Sequence, residues 1–490
     1  MASSTTLPKP VQKETAPAGR GVLLKWLIPI ALAVVLRLIP TPAGLSPVAW
    51  HYFALFVAVI AGLITEPIPG PAVGFVGVSF AAAFLFVGKT PAEGLRWALS
   101  GFANDTVWLI FAANMFAVGY EVTGLGRRIA LVFVKKLGRS TLGLAYAIGL
   151  ADLILAPFMP SVTARSGGTI YPIVKSIPPI YGCSPTENPR KIGSYLLWTT
   201  FAMASITSGM FMTSFAPNVL ATEIARKITH VDVNWTTWAM GSLPVCLLLF
   251  AATPLLCYYL YPPTIKRSTE VSAWAATELV QMGRITRREL TMALLALGAL
   301  GSWISASRWI SATTVALVVI SLMVLTKVVT WNDIINAKQA WNVFVWFATL
   351  VVMAEGLSAV GFLSWFATRS ATLTTHIPLT ATMIAIVAVF FAVHYLIASG
   401  TAQTAALLPV FLTAAVAVNG LPIRPVTLLL LYSLGLMGVI TPYANGPAPI
   451  YFSSGYIPSK DFWRLGLILG LFNLFVLLVV GLPFALHFLR

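Results

Sequence analysis

The sequence predicts an all-α polytopic membrane protein made of two related halves, each interrupted by a helix hairpin. Three observations predict it. Of the 490 residues, 58% are hydrophobic and 9% charged, with a mean hydropathy of +0.86, whereas soluble domains carry roughly 25% charged residues. Apolar runs of about 18 residues or more recur along the chain, each long enough to cross about 30 Å of hydrocarbon. A short polar phrase, Ser-x-Thr-Ala, stands twice between apolar segments, as PSVTARS (160–166) and ASGTAQT (398–404).

Taken in order, residues 1–21 form a polar tail and 22–40 a first span. That span is too long for the apolar core of a secretory signal and has no small-residue cleavage site. A first repeat covers 47–261, with spans at 47–65, 68–88, 104–122, 142–158, 195–215 and 238–261 and a hairpin near 150–180. A polar connector follows at 262–288. The second repeat, 289–490, has spans at 289–305, 310–329, 341–357, 379–398, 405–419, 425–440 and 462–488, with a hairpin near 390–418.

The formal charge of +16 gathers in two clusters, 126–139 and 264–290. In a membrane chain, Lys and Arg accumulate in cytoplasmic loops. The clusters therefore set topology, with the N-terminus cytoplasmic in a cell inner (plasma) membrane, and nucleic acid is not an expected partner. Cys183, Cys246 and Cys257 lack metal or disulfide spacing. HExxH, GxSxG and an intramembrane pair of catalytic Asp are all missing, which argues against an enzyme.

The halves can be laid on one another. VWLIFAANMFAVGYEVTGLGRRIA (107–130) matches VFVWFATLVVMAEGLSAVGFLSWFA (343–367), pairing Phe111-Ala112 with Phe347-Ala348 and Gly124 with Gly361. The Ser-x-Thr-Ala copies and Pro172 with Pro409 follow at nearly the same separation, and SGMFMTSFAPN (208–218) resembles GLMGVITPYAN (435–445). Duplicated halves with broken helices point to a secondary transporter whose site lies where the repeats meet, and an odd number of elements per half favours inverted repeats.

Prolines before the first copy and glycines after it prevent one unbroken helix. Each copy is expected at a hairpin tip, Ser161-Val162-Thr163 in one and Ser399-Gly400-Thr401 in the other. Such a tip exposes a helix N-terminus, with free N–H donors and a partial positive charge of roughly half a unit. Ser and Thr hydroxyls add donors without net charge. Two opposed tips suit an anion charged at both ends, and a dicarboxylate is the simplest. Thr213 and Asn218, and Thr441 and Asn445, again stand beside helix breakers, where unwound carbonyls could complete an ion site.

With these residues, PSVTARSGG and ASGTAQT above all, the chain resembles the divalent anion:sodium symporter family, in its di- and tricarboxylate exchanger branch, over nearly its whole length beyond the first span. The resemblance implies two inverted repeats with about eleven transmembrane helices and two re-entrant hairpins, a homodimer in the bilayer and an elevator motion. It implies that Ser161, Thr163, Ser399 and Thr401 hold substrate carboxylates, with 213–218 and 441–445 lining the same site. The family's motif is Ser-Asn-Thr; here Val162 and Gly400 replace the Asn that helps build its sodium sites. Arg165, just past the first motif, and His394, just before the second, could supply the positive charge instead. A fixed buried cation discourages the empty carrier from crossing. Exchange of di- or tricarboxylates (succinate, malate, tartrate, 2-oxoglutarate or citrate) without a cofactor is therefore expected. The alternative is sodium- or proton-coupled symport of dicarboxylates or sulfate-like oxyanions, with Na+ near Ser161, Thr163, Thr401, Asn218 and Asn445.

Overall fold

The computed structural model describes residues 20–267, 269–306, 309–371 and 378–488. The tail expected over 1–21 lies outside the described residues except at its last two positions. The described residues form helices and connecting turns, with no strand. Among them, eight helices are long and apolar enough to cross a membrane, and three shorter apolar helices accompany these. The chain is a multi-pass all-α membrane protein.

The first half opens with α1 (Arg20–Leu38) packed on α2 (Pro47–Thr65), then α3 (Gly70–Ala83), α4 (Pro91–Ser100), α5 (Asp105–Thr123) and α6 (Leu125–Leu137). It continues through α7 (Thr141–Leu155), α8 (Tyr171–Lys175), α9 (Gly193–Met210), α10 (Ala216–Thr229) and α11 (Trp235–Leu260). After α12 (Thr269–Gln281), the second half runs through α13 (Arg287–Ser305), α14 (Ala312–Leu325), α15 (Trp331–Asn336), α16 (Lys338–Ala359), α17 (Phe362–Ala371) and α18 (Leu379–Val393). Next come α19 (Gly400–Ala406), α20 (Leu408–Ala417), α21 (Ile423–Leu436), α22 (Ala448–Ser453), α23 (Ser459–Val476) and α24 (Leu482–Phe488).

Local signals recur with this order. Ser46 and Thr286 cap α2 and α13, and Thr90 and Thr330 cap α4 and α15. Each hydroxyl accepts a backbone N–H three residues on and so satisfies a donor the helix start leaves free. Gly124 after α5 and Gly361 after α16, paired from sequence, both take positive φ, +75° and +81°, where a Cβ would be strained.

Three differences from the expected spans have local causes. The span drawn over 68–88 stops at Ala83, because Leu85 and Gly88 adopt φ of 51° and 89° and turn the chain into α4. The basic cluster at 126–139 is largely the helix α6. The connector at 262–288 is not a plain loop, for it contains α12, which packs along α6. Arg127 pairs with Glu278 at 2.6 Å, and the buried Arg128 with Glu289 at 2.6 Å. These helices escape an apolar-run search because they present one apolar face and keep the other charged.

At both motif copies the helix breaks and rewinds. α7 ends in a tight turn at Ala156–Phe158, and the chain unwinds through 159–161 past Pro157 and Pro160 before rewinding. The return arm is π-wound over Thr163–Ile170 and runs on into α8, the kind of local widening common at functional positions. Gly167 and Gly168 do not break this arm. At Gly167 the missing Cβ makes room for Ile450, whose Cδ1 would lie 2.6 Å from it. In the second half, α18 ends in the turn His394–Leu396, and the chain rewinds at Gly400 into α19 and α20. Behind the tips, α9 is buried along its whole length and crosses the almost wholly buried α21. The crossing places Gly435 against the backbone of Ser208 and Gly209, the close approach small residues allow between membrane helices.

Candidate functional site

Each tip is built around its serine. Ser161 Oγ accepts the N–H of Ala164 at 3.2 Å, and Ser399 Oγ accepts the N–H of Ala402 at 3.3 Å. Each hydroxyl thus closes the first turn of its own arm and keeps its O–H for an external acceptor. Both tips open onto one cavity of about 440 Å³, lined by Ser161, Val162 and Thr163 from the first and Ser399, Gly400 and Thr401 from the second. Asn445 and Gly446 complete that side. A side chain at Gly446 would overlap Thr163 Oγ1, so glycine is what lets the 441–447 loop press against the first tip. At Gly400 a Cβ would lie 3.0 Å from the Phe215 ring, a steric reason for the second tip to lack a middle side chain.

The cavity suits an anion although no basic residue lines it among the described residues. The only charged lining residue among these is Glu66, exposed at the mouth. There the cavity continues into an open groove of about 730 Å³, bounded by 66–71, Gln339, Asn342 and Trp346. The two hairpin arms and α10, which begins at Ala216, start at the cavity wall. Free N–H groups of the two arms and the positive ends of three helix dipoles therefore meet there, the first N–H groups of α10 being bonded to Pro160 and Phe215. In a partly desolvated site, such donors hold a carboxylate more strongly than they would in water.

Arg165, His394, Thr213, Asn218 and Thr441, also singled out from sequence, stand outside this lining. Arg165 is wholly buried and points away from the cavity, its Nε donating to Asp152 Oδ1 at 3.1 Å. Its Nη1 donates to the carbonyls of Met159 at 2.7 Å and Ser214 at 2.6 Å, and Nη2 reaches Thr207 and Ser208. It fastens the approach to the first tip onto the loop before α10. His394 does a similar job in the second half, its ring bonding Gln403 Oε1 at 2.5 Å and the Ala444 carbonyl at 3.0 Å. Thr213 donates to the Pro157 carbonyl at 2.6 Å and accepts Trp235 Nε1–H at 3.1 Å. Asn218 donates to the carbonyls of Ser208 and Phe211, while its Oδ1 and the Thr441 hydroxyl are buried without a protein partner among the described residues. Asn445 lines the cavity, its Oδ1 accepting Ala448 N–H at 3.1 Å.

From the expected segments 213–218 and 441–445 the cavity takes Phe215 and Tyr443, and it also holds Asn114, Gln339, Trp346 and Phe347, which lie outside every motif. Gln339 Nε2 donates to Ser161 Oγ at 3.1 Å, linking the start of α16 to the first tip. Asn114 is the one side-chain amide in α5, a polar residue mid-span that deserved notice. Gln339 carried no such signal, because it sits at a span end.

Comparison with known proteins agrees with this geometry. The chain is 46% identical over 475 residues to the citrate/succinate antiporter of Escherichia coli (strain K12), covering 94% of this chain and 97% of that one. It is 44% identical over 471 residues to the L-tartrate/succinate antiporter of the same strain, again covering 94% and 97%. In fold alone it is similar to the Alcanivorax borkumensis YdaH transporter, with a TM-score of 0.55 at 16% identity over 85% of this chain and 98% of that one. A similar match is Neisseria gonorrhoeae MtrF, with a TM-score of 0.53 at 13% identity over 88% and 98%. Residues 21–488 match the family model described as the sodium:sulfate symporter transmembrane region. The chain therefore belongs to that family, the divalent anion:sodium symporters, and is a membrane transporter rather than an enzyme.

Proposed function

We propose that the chain exchanges di- or tricarboxylate anions across a cell inner membrane, holding the two ends of the acid between the hairpin tips. The observation that carries this reading is that both Ser-x-Thr tips line one cavity that has helix N-termini and, among the described residues, no basic side chain. Ser161, Thr163, Ser399, Thr401 and Asn445 are the proposed ligands. Thr213, Asn218 and Thr441 hold the loops behind them. The exchange activities named for the two Escherichia coli relatives support the same substrate class.

Exchange is favoured over sodium symport by what surrounds the tips. A cation seated behind the first tip would draw on loop carbonyls, and those of Met159 and Ser214 already accept from the Arg165 guanidinium. Behind the second tip, the Ala444 carbonyl already faces His394. The carbonyls nearest each tip are thus already engaged, which supports exchange without sodium; among the described residues, the acceptors left unengaged behind the tips include Asn218 Oδ1 and the Thr441 hydroxyl. Inverted repeats of about eleven spans and two hairpins, as in other carriers with broken helices, are supported by the α9–α21 crossing. Ser208 and Gly435, matched from sequence, face each other there, as equivalent positions beside a two-fold axis do. A homodimer, an elevator motion and a cytoplasmic N-terminus complete the proposal.

Proteoliposomes test it. Uptake of labelled succinate should require dicarboxylate inside the vesicle and ignore an imposed sodium gradient; sodium-driven uptake into empty vesicles would rule out exchange. Thr163→Ala and Thr401→Ala should each lower uptake at subsaturating substrate by about 10- to 100-fold, the worth of a hydrogen bond to a charged group. Full activity in either variant would remove that tip from the site.

A further inference from the structure

Most of the cavity's polar groups are hydroxyls and amides that can donate to a dianion, and Asn114 is held so that it accepts. It stands midway along α5, 5% exposed, and lines the cavity. Its Nδ2 donates to the Ile110 carbonyl one turn back, at 2.8 Å. Turning the amide over would set Oδ1 against that carbonyl, acceptor against acceptor, so the hydrogen bond fixes which way the amide points. Oδ1 is left with no protein partner among the described residues. Apart from the Glu66 carboxylate at the mouth, it is an acceptor fixed among groups that can donate.

Such a group gains nothing from a carboxylate, whose oxygens also accept. It gains from a hydroxyl hydrogen. The matching position in the second half is Leu350, which is buried and lines no part of the cavity, so the acceptor exists on one side only. We propose that Asn114 is a specificity-determining residue that accepts the hydroxyl of a 2-hydroxy di- or tricarboxylate and so separates hydroxylated acids from succinate. This rests on the carboxylate-exchange reading and adds to it the chemical feature sensed between the two ends. A site that hydrogen-bonds a substrate hydroxyl discriminates against the analogue lacking it, because the unpaired partner then goes unsatisfied.

The test is competition in reconstituted vesicles. L-malate and succinate are each used to inhibit uptake of labelled succinate, and the ratio of their inhibition constants is compared between variants. Asn114→Leu, which copies the second half, should raise the malate-to-succinate ratio about fivefold to tenfold. Asn114→Ser should restore most of the original ratio, since its hydroxyl can donate to Ile110 and keep its lone pairs toward the ligand. A packing defect would weaken both acids alike and leave the ratio where it was. A ratio within about twofold of wild type in Asn114→Leu, or a serine variant that behaves like the leucine one, overturns the assignment. If the wild-type protein exchanges no dicarboxylate, the functional reading falls and this one with it; exchange with an unmoved ratio overturns this one alone.

Discussion

Replacing Arg165 with methionine should abolish transport and sharply lower the thermal stability of the purified protein. The guanidinium is wholly buried and satisfies Asp152, two backbone carbonyls and two hydroxyls at once. Its loss leaves the Asp152 carboxylate buried without a partner, which costs about 3–5 kcal/mol when one member of such a pair is removed. Two orphaned carbonyls add about 1–3 kcal/mol each. Lysine should not substitute, because a single ammonium cannot span Asp152, Met159 and Ser214 as a planar fork does. Arg165→Met combined with Asp152→Leu separates stability from function. Removing both charges should recover most of the folded yield, since a buried pair is often matched by apolar packing. Transport should stay lost, because the carbonyls of Met159 and Ser214 would have no shared donor to hold the first tip beside the α10 loop. Wild-type uptake in the double variant would show that the tie is dispensable. The readouts are the unfolding temperature in detergent and succinate counterflow.

Gly435→Ala should destabilise the protein more than any conservative change at the cavity. Its Cβ would overlap the backbone of Gly209 in the facing helix and lie 2.7 Å from the carbonyl carbon of Ser208. Backbone cannot rotate aside as a side chain can, so α9 and α21 must separate. Both are buried almost throughout, and overpacking of this sort costs about 1–3 kcal/mol or more. Ser208 also bonds Arg165 and, through its carbonyl, Ser214 and Asn218. A forced shift should therefore reach the first tip and reduce transport as well. An unchanged unfolding temperature would mean that the crossing can relax.

Several features could be read without coordinates because they depend on neighbours along the chain. Apolar length located the spans, and the start drawn at Pro47 is the observed one. Pro157 and Pro160 marked the break before the first motif, since a proline acts on the backbone within its own turn. The glycines paired at 124 and 361 share a left-handed conformation because each ends a helix of the same kind.

Other features depended on rotation about helix axes and on which side chains face one another. Arg165 stands two residues from Thr163, yet it points at Asp152 and away from the cavity its neighbour lines. Thr213 and Asn218 bear the right chemistry but spend it on Pro157, Ser208 and Phe211. Asn114 and Gln339 face the cavity from α5 and α16, helices with no binding motif. The sequence by itself determined the membrane class and the breaks at the two serine-threonine motifs, because these are encoded by composition and by local breakers. Only the tertiary structure decided which polar groups face the substrate cavity and which are consumed behind it. In a buried membrane interior every donor seeks an acceptor, and packing between distant helices determines which one it finds.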